Sequence, residues 1–156
     1  MRTVVTGGAG FIGSHLVKEL LRNGYYVTVL DDFSTGDMDN LEPHPNLMIE
    51  VLDIAVDELP TIPFDTLFHL AAPVSVPESL EVPMKYWNGI SVASRRVMEW
   101  AYSMGAKSMV AASTAAVYGD STDVPLKESH RPEPMSPYAD FKLEMEHTMS
   151  SYNKPE

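Results

Sequence analysis

The chain has 156 residues, 44% hydrophobic and 21% charged, with a formal net charge of -11 and no cysteine. Its length and mean hydropathy of -0.12 suit one soluble domain with a real core, and no run approaches the ~20 apolar residues of a membrane span. The acidic balance argues against nucleic acid, which needs a basic footprint, and the lack of thiols removes disulfide and thiolate chemistry and suits a reducing, cytoplasmic setting.

Met1–Gly13 reads as strand then glycine loop, not as a secretory leader with its basic and apolar stretches. Arg2–Thr6 is a short β-branched run bounded by Gly7-Gly8-Ala9-Gly10, the pattern of a buried strand feeding a turn. Phe11–Asn23 carries Ile12, His15, Leu16, Glu19 and Leu20 at helical spacing, with Gly24 as its stop. Tyr26–Leu30 predicts a second strand, followed by Asp31-Asp32. Leu47–Val51 and Thr66–Leu70 predict two more, and the intervening segment, rich in proline (Pro43, Pro45, Pro60, Pro63), reads as mostly loop with at most a turn of helix. Met84–Met104 is the longest predicted helix, closed by Gly105. Ser108–Ala112 is a fifth strand, and Ser136–Tyr152 a last helix opened by Ser136-Pro137. Strands alternating with helices give parallel βαβ units with right-handed crossovers. The expected fold is α/β, a doubly wound parallel sheet of the Rossmann type, with about five strands in the order 3-2-1-4-5.

Between Asn23 and Met84 there is no Lys or Arg, while twelve Asp and Glu fall there. Such a run reads first as a solvated acidic face. It also means that a ligand phosphate bound in this half must be held by backbone N–H groups.

Gly7, Gly10 and Gly13 supply the means, in a G-x-x-G-x-x-G frame. The first permits a tight turn, the middle one lets backbone approach a pyrophosphate, and the last lets the helix pack on the strand. The pyrophosphate would sit at the N-terminus of the Phe11 helix, where orphan N–H groups and the positive dipole end meet it. Asp32, with Asp31 beside it, ends the next strand about 20 residues on, where a carboxylate accepts from the adenosine ribose hydroxyls. A 2′-phosphate would meet carboxylates there and no nearby Arg, so the expected cofactor is NAD rather than NADP.

Five stretches together resemble the extended short-chain dehydrogenase/reductase family. They are Thr6-Gly7-Gly8-Ala9-Gly10-Phe11-Ile12-Gly13-Ser14-His15, then Asp31-Asp32-Phe33-Ser34-Thr35-Gly36, then His69-Leu70-Ala71-Ala72. The others are Ser113-Thr114 with Val117-Tyr118-Gly119, and Pro137-Tyr138 with Lys142. Their order and spacing are similar to those of the nucleotide-sugar epimerase/dehydratase branch, nearest to the UDP-glucose 4-epimerases. The resemblance implies an NAD site of Gly7, Gly10, Phe11, Ile12, Gly13, Asp31 and Asp32, with Asp53 and Ile54 beside the adenine. It places Leu70, Ala71 and Ala72 along the cofactor's middle, and Tyr138 and Lys142 at the nicotinamide end. Thr114, Tyr138 and Lys142 would form the catalytic set. Tyr138 and Lys142 stand four apart, on one helix face, and a nearby ammonium favours the phenolate that acts as base.

Within the resemblance, 4,6-dehydratases carry Asp-Glu directly after the Thr, and UDP-glucuronate decarboxylases carry Glu at the second of those positions. Here Ala115-Ala116 stand there and exchange no proton, which favours epimerisation, a reaction needing hydride transfer and one proton at the sugar O4. A decarboxylase or dehydratase relative is the alternative within the branch. Three positions depart from the family's pattern: Gly89 stands where a helical Asn is usual, with Asn88 beside it; Val74 replaces a Lys; Phe141 replaces a Ser.

Members of that family run to about twice this length, so residues 1–156 are read as the NAD-binding Rossmann domain, without the family's C-terminal substrate domain. Ser108–Ala112 would then be an open, uncharged edge strand. Met84, Trp87, Met98, Met145 and Met149 lie on the helices of 84–104 and 136–152, which form a dimer bundle in this family, and imply a homodimer unless they fill the core. The five His show no metal-like spacing; His69 belongs to the cofactor motif and His15 to the start of the first helix. Two functions stay open: an NAD-dependent epimerase acting on a UDP-sugar, and a cofactor-binding module, with or without a partner, that turns nothing over.

Overall fold

A computed structural model describes residues 1–121 and 124–152. β-Branched residues make β1 (Arg2–Thr6), whose Val4, Val5 and Thr6 are fully buried, as the centre of a parallel sheet demands. The other strands are β2 (Tyr26–Asp31), β3 (Leu47–Val51), β4 (Thr66–His69) and β5 (Ser108–Ala111). All pair in parallel, in the order β3-β2-β1-β4-β5. That is the predicted fold.

The chain divides into two compact units. The first comprises Met1–Ala72 and Arg96–Ala112 and contains the whole sheet. Helix α1 (Phe11–Arg22) lies on the sheet through Val17 and Leu21, which join Val5, Val27, Val29 and Leu41 in one apolar cluster. Arg22 rather than Asn23 ends it, because Asn23 caps the last turn and Gly24 follows with φ +78°. Within the same unit, Trp100 stacks obliquely on Phe64 at 4.7 Å and its indole N–H donates to the Pro60 carbonyl at 3.0 Å. These contacts seat helix α4 (Ala93–Ser103), whose Val97, Met98 and Ala101 are buried.

The second unit comprises Pro73–Arg95 and the chain from Ser113. The predicted helix 84–104 forms as one helical run, Pro83 to Ser103, that widens to a π-helical turn in its middle. Helix α2 (Val76–Glu81) precedes it, and the run comprises α3 (Pro83–Tyr86), the π-helical turn over Trp87–Val92, and α4. Pro83 forces the start of α3, and Val82 before it is held out of the helical region at φ -131°. Gly89 sits in the π-helical turn against Pro73; a Cβ there would lie 2.9 Å from the proline Cδ. The missing side chain at this departure from the family pattern is therefore explained by close packing. A 3₁₀ turn (Ala115–Tyr118) and helix α5 (Pro137–Ser150) complete the unit, and α5 packs on the π-helical turn, on α2 and on the 3₁₀ turn.

Among the described residues no helix is long and apolar enough to cross a membrane.

Candidate functional site

In the first unit the glycine loop joins β1 to α1 at the carboxyl end of the sheet. Gly7 has φ +69°, and a Cβ on it would stand 2.6 Å from the Ala71 nitrogen. A Cβ on Gly13 would meet the Gly7 carbonyl oxygen at 2.1 Å. Both glycines are thus demanded by the chain's own backbone. Gly10 is different: its φ of -75° and ψ of 175° suit any residue, and a Cβ would find only the Gly7 oxygen, at 3.4 Å. Among the described residues nothing requires glycine there. A ligand lying against the backbone would.

Gly10 is also the N-cap of α1, with no side chain capping the helix and no acid in its first turn. The first N–H groups of this twelve-residue helix, with its dipole, suit a pyrophosphate. Phe11 and Ile12, 82% and 67% exposed, flank them. We expect Gly13→Ala to fail to fold, while Gly10→Ala melts as the wild type does and weakens dinucleotide binding about tenfold or more. Thermal melts beside a dinucleotide titration separate the two.

Asp31 and Asp32 have unequal surroundings. Asp31 is 7% exposed; its Oδ2 accepts from the Ala9 N–H and its Oδ1 from the Phe33 N–H, each at 2.9 Å. It ties the glycine loop to the crest of β2 and holds Phe33 at φ 56°, a strained value for a non-glycine residue. Each oxygen keeps a second lone pair for a ligand hydroxyl. Asp32 is exposed, and its Oδ1 accepts from the Ser34 N–H and hydroxyl. Asp31 is thus fixed by the backbone of the glycine loop, whereas Asp32 turns back on its own chain at the surface.

Thr6, fully buried, organises the next motif. Its Oγ1 accepts from the Leu70 and Ala71 N–H groups at 3.3 Å and lies 2.7 Å from His69 Nδ1. A hydroxyl that accepts twice has its hydrogen left to donate, so His69 Nδ1 is the acceptor. This fixes the backbone of Leu70, Ala71 and Ala72 beside Gly7. After β3, Asp53 opens a turn in which its Oδ1 accepts from the Ala55 N–H at 2.8 Å, and Ile54 is buried.

The second unit holds the proposed catalytic residues. Ser136 caps α5, accepting from the Ala139 N–H at 3.2 Å, and so fixes the helix start immediately before Tyr138. Tyr138 is 8% exposed and Lys142, one turn on, 5%. Burial pushes the Lys142 amine down to about 8. The Tyr138 ring meets Tyr86 edge to face, with centroids 6.3 Å apart, and Tyr86 is itself pinned because its hydroxyl donates to Glu78 at 2.7 Å and accepts from the Ser75 N–H. Neither Tyr86 nor Ser75 was found in the sequence; the Ser75-x-x-Glu78 cap, a signal for α2, was the available clue. Thr114 precedes the 3₁₀ turn that packs on α5, and its Oγ1 accepts from the Ala116 N–H at 3.2 Å, leaving its hydrogen to donate. Of the five residues singled out for a dimer face, Met98 and Met145 are core, whereas Met84 and Trp87 are 62% and 40% exposed.

A family profile described as NAD dependent epimerase/dehydratase matches residues 3–155. Among curated proteins, the UDP-glucose 4-epimerase of Corynebacterium glutamicum is 34% identical over 153 residues, covering 97% of this chain and 46% of that protein. Among solved structures, a UDP-N-acetylglucosamine 4-epimerase from Methanobrevibacter ruminantium, in complex with UDP-N-acetylmuramic acid, superposes with a TM-score of 0.91 at 38% identity. The match covers 97% of this chain and 50% of that one. The Thermus thermophilus UDP-glucose 4-epimerase in complex with NAD gives 0.88 at 34% identity, with 97% and 50% covered. The chain spans about half the length of these relatives.

Proposed function

We propose that this chain, which belongs to the NAD-dependent epimerase/dehydratase family, binds NAD and carries the proton chemistry of a UDP-sugar 4-epimerase. Residues 1–156 are read as the cofactor-binding part of that enzyme. The observation that carries the reading is Lys142: a charged side chain 5% exposed, one helical turn from an almost equally buried Tyr138. Burial lowers this amine to about 8, and its place one turn from Tyr138 suits a catalytic pair.

Gly10 and the N-terminus of α1 take the pyrophosphate, Asp31 the adenosine ribose, and Asp53 with Ile54 the adenine. The nicotinamide supplies a hydride acceptor and donor. Tyr138 accepts the proton of the sugar 4-hydroxyl. Lys142 remains mostly ammonium at pH 7, since its value is about 8. Thr114, whose oxygen is occupied by the Ala116 N–H, donates its own hydrogen to the sugar oxygen as negative charge develops. Ala115 and Ala116 offer no second acid or base, which favours epimerisation over elimination. Incubating the protein with NAD and UDP-galactose and separating the products by chromatography tests this; no UDP-glucose above the no-enzyme control counts against it.

Asp31 also sets which dinucleotide binds. NAD should bind well and NADP much more weakly, because a 2′-phosphate would face Asp31 and Asp32 in a stretch without Lys or Arg. Asp31→Asn should reduce the preference by about 1–3 kcal/mol, the worth of a charge-assisted hydrogen bond, and Asp32→Ala by less. Calorimetric titration with both dinucleotides measures it, and equal affinities in the wild type sink the assignment. Met84 and Trp87 are assigned to a homodimer interface formed by the 84–104 and 136–152 segments; sedimentation should give twice the mass of one chain, and a clean monomer at micromolar concentration contradicts it.

A further inference from the structure

A cation reaches into the acidic half of the first unit from outside it. No Lys or Arg lies between Asn23 and Met84, yet Arg96, on α4, extends to the turn that follows β3. Its Nη1 donates to the Ile54 carbonyl and its Nη2 to the Asp57 carbonyl, both at 2.8 Å. Both acceptors are backbone, so the two bonds fix the path of the chain. The turn also closes on itself: the Asp53 N–H donates to Asp57 Oδ2 at 2.8 Å, and the Val56 and Asp57 N–H groups donate back to the Asp53 carbonyl. Two carboxylates are thereby held in one turn, a repulsion that a neighbouring guanidinium offsets.

We propose that Arg96 is a positioning residue for the adenine end of the dinucleotide, holding the Asp53–Ile54 edge in a fixed attitude by clamping the Ile54 and Asp57 carbonyls. This role presupposes the NAD reading above. A carboxylate and an N–H on consecutive residues match a purine that offers an exocyclic amine beside a ring-nitrogen acceptor. They mismatch hypoxanthine, which offers a carbonyl beside an N–H. Two carbonyls in different directions need the guanidinium fork, which a lysine amine lacks.

Calorimetric titration of the wild type, Arg96→Met and Arg96→Lys with NAD and with nicotinamide hypoxanthine dinucleotide tests the role. The wild type should prefer NAD. Arg96→Met should lose about tenfold in NAD affinity, because an unclamped turn must be ordered on binding and fixing even one residue costs about that factor. The hypoxanthine dinucleotide should change little, and Arg96→Lys should recover part of the loss. An equal loss for both dinucleotides makes Arg96 merely structural and overturns the proposal, as does unchanged NAD affinity in Arg96→Met. If Arg96→Met does not fold, Arg96→Lys carries the same comparison. A folded wild type that binds neither dinucleotide overturns the NAD reading itself, a failure distinct from that of Arg96.

Discussion

Tyr138→Phe should lower epimerase turnover by about 10²–10⁴-fold, the usual worth of general acid–base catalysis, while NAD affinity stays near that of the wild type. The substitution removes one oxygen and keeps the ring. Tyr138 is 8% exposed and packs edge to face on Tyr86, so the phenylalanine keeps that contact and the helix cap at Ser136. The glycine loop, Asp31 and the Asp53–Ile54 turn lie in the first unit, and the substitution changes none of them. A product chromatogram from UDP-galactose and a dinucleotide titration on the same sample give both numbers. If wild type and variant yield the same trace of UDP-glucose, the turnover is a contaminant's, and the chain is a cofactor-binding module that does no chemistry. If affinity for NAD falls in step with turnover, Tyr138 acts through binding and the base assignment is wrong.

The parallel sheet and its order were legible because strong signals agreed: β-branched runs, a glycine loop after the first, and helical spacing from Phe11. Boundaries were legible only to a residue or two; β2 takes in Asp31 and β4 stops at His69. The π-helical turn inside the predicted helix 84–104 was not read. Met84–Met104 has an unbroken helical look, and the π-helical turn at Trp87–Val92 arises where Gly89 admits Pro73 from elsewhere in the chain, a tertiary contact that local spacing does not encode. The site followed the same rule. Gly7 and Gly13 are explained by collisions with the backbone of their own fold, so a glycine triplet is weaker evidence of a ligand than its motif suggests; Gly10 alone has room for a Cβ. Asp31 and Asp32 are identical letters side by side, and only burial and the Ala9 N–H distinguish them. Arg96 carries no motif at all.

Lys142→Met should stabilise the protein at pH 7 and abolish its chemistry together. The amine sits at about 8 in the folded chain against an ordinary 10.5, because burial disfavours the charged form. A lysine whose value falls on folding behaves oppositely to one whose value rises. Below pH 8 it is protonated in both folded and unfolded chains, and the folded state carries the cost of burying the charge. Between pH 8 and 10.5 the unfolded chain binds the proton that the folded chain has released, so this group's contribution to stability rises with pH across that window. The full shift corresponds to about 3 kcal/mol, and hydrogen bonding lost with the amine subtracts from it, so a gain of about 1–3 kcal/mol is expected at pH 7. Methionine preserves the buried length without the charge. Chemical denaturation at pH 7 and at pH 10 measures the difference, and the advantage of the variant should shrink as pH rises. If Lys142→Met is instead less stable at pH 7, by an amount indifferent to pH, the amine is a structural strut and its burial no longer argues for catalysis. The expected pattern, a more stable protein without turnover, is that of a residue kept for the chemistry of Tyr138 at the fold's expense.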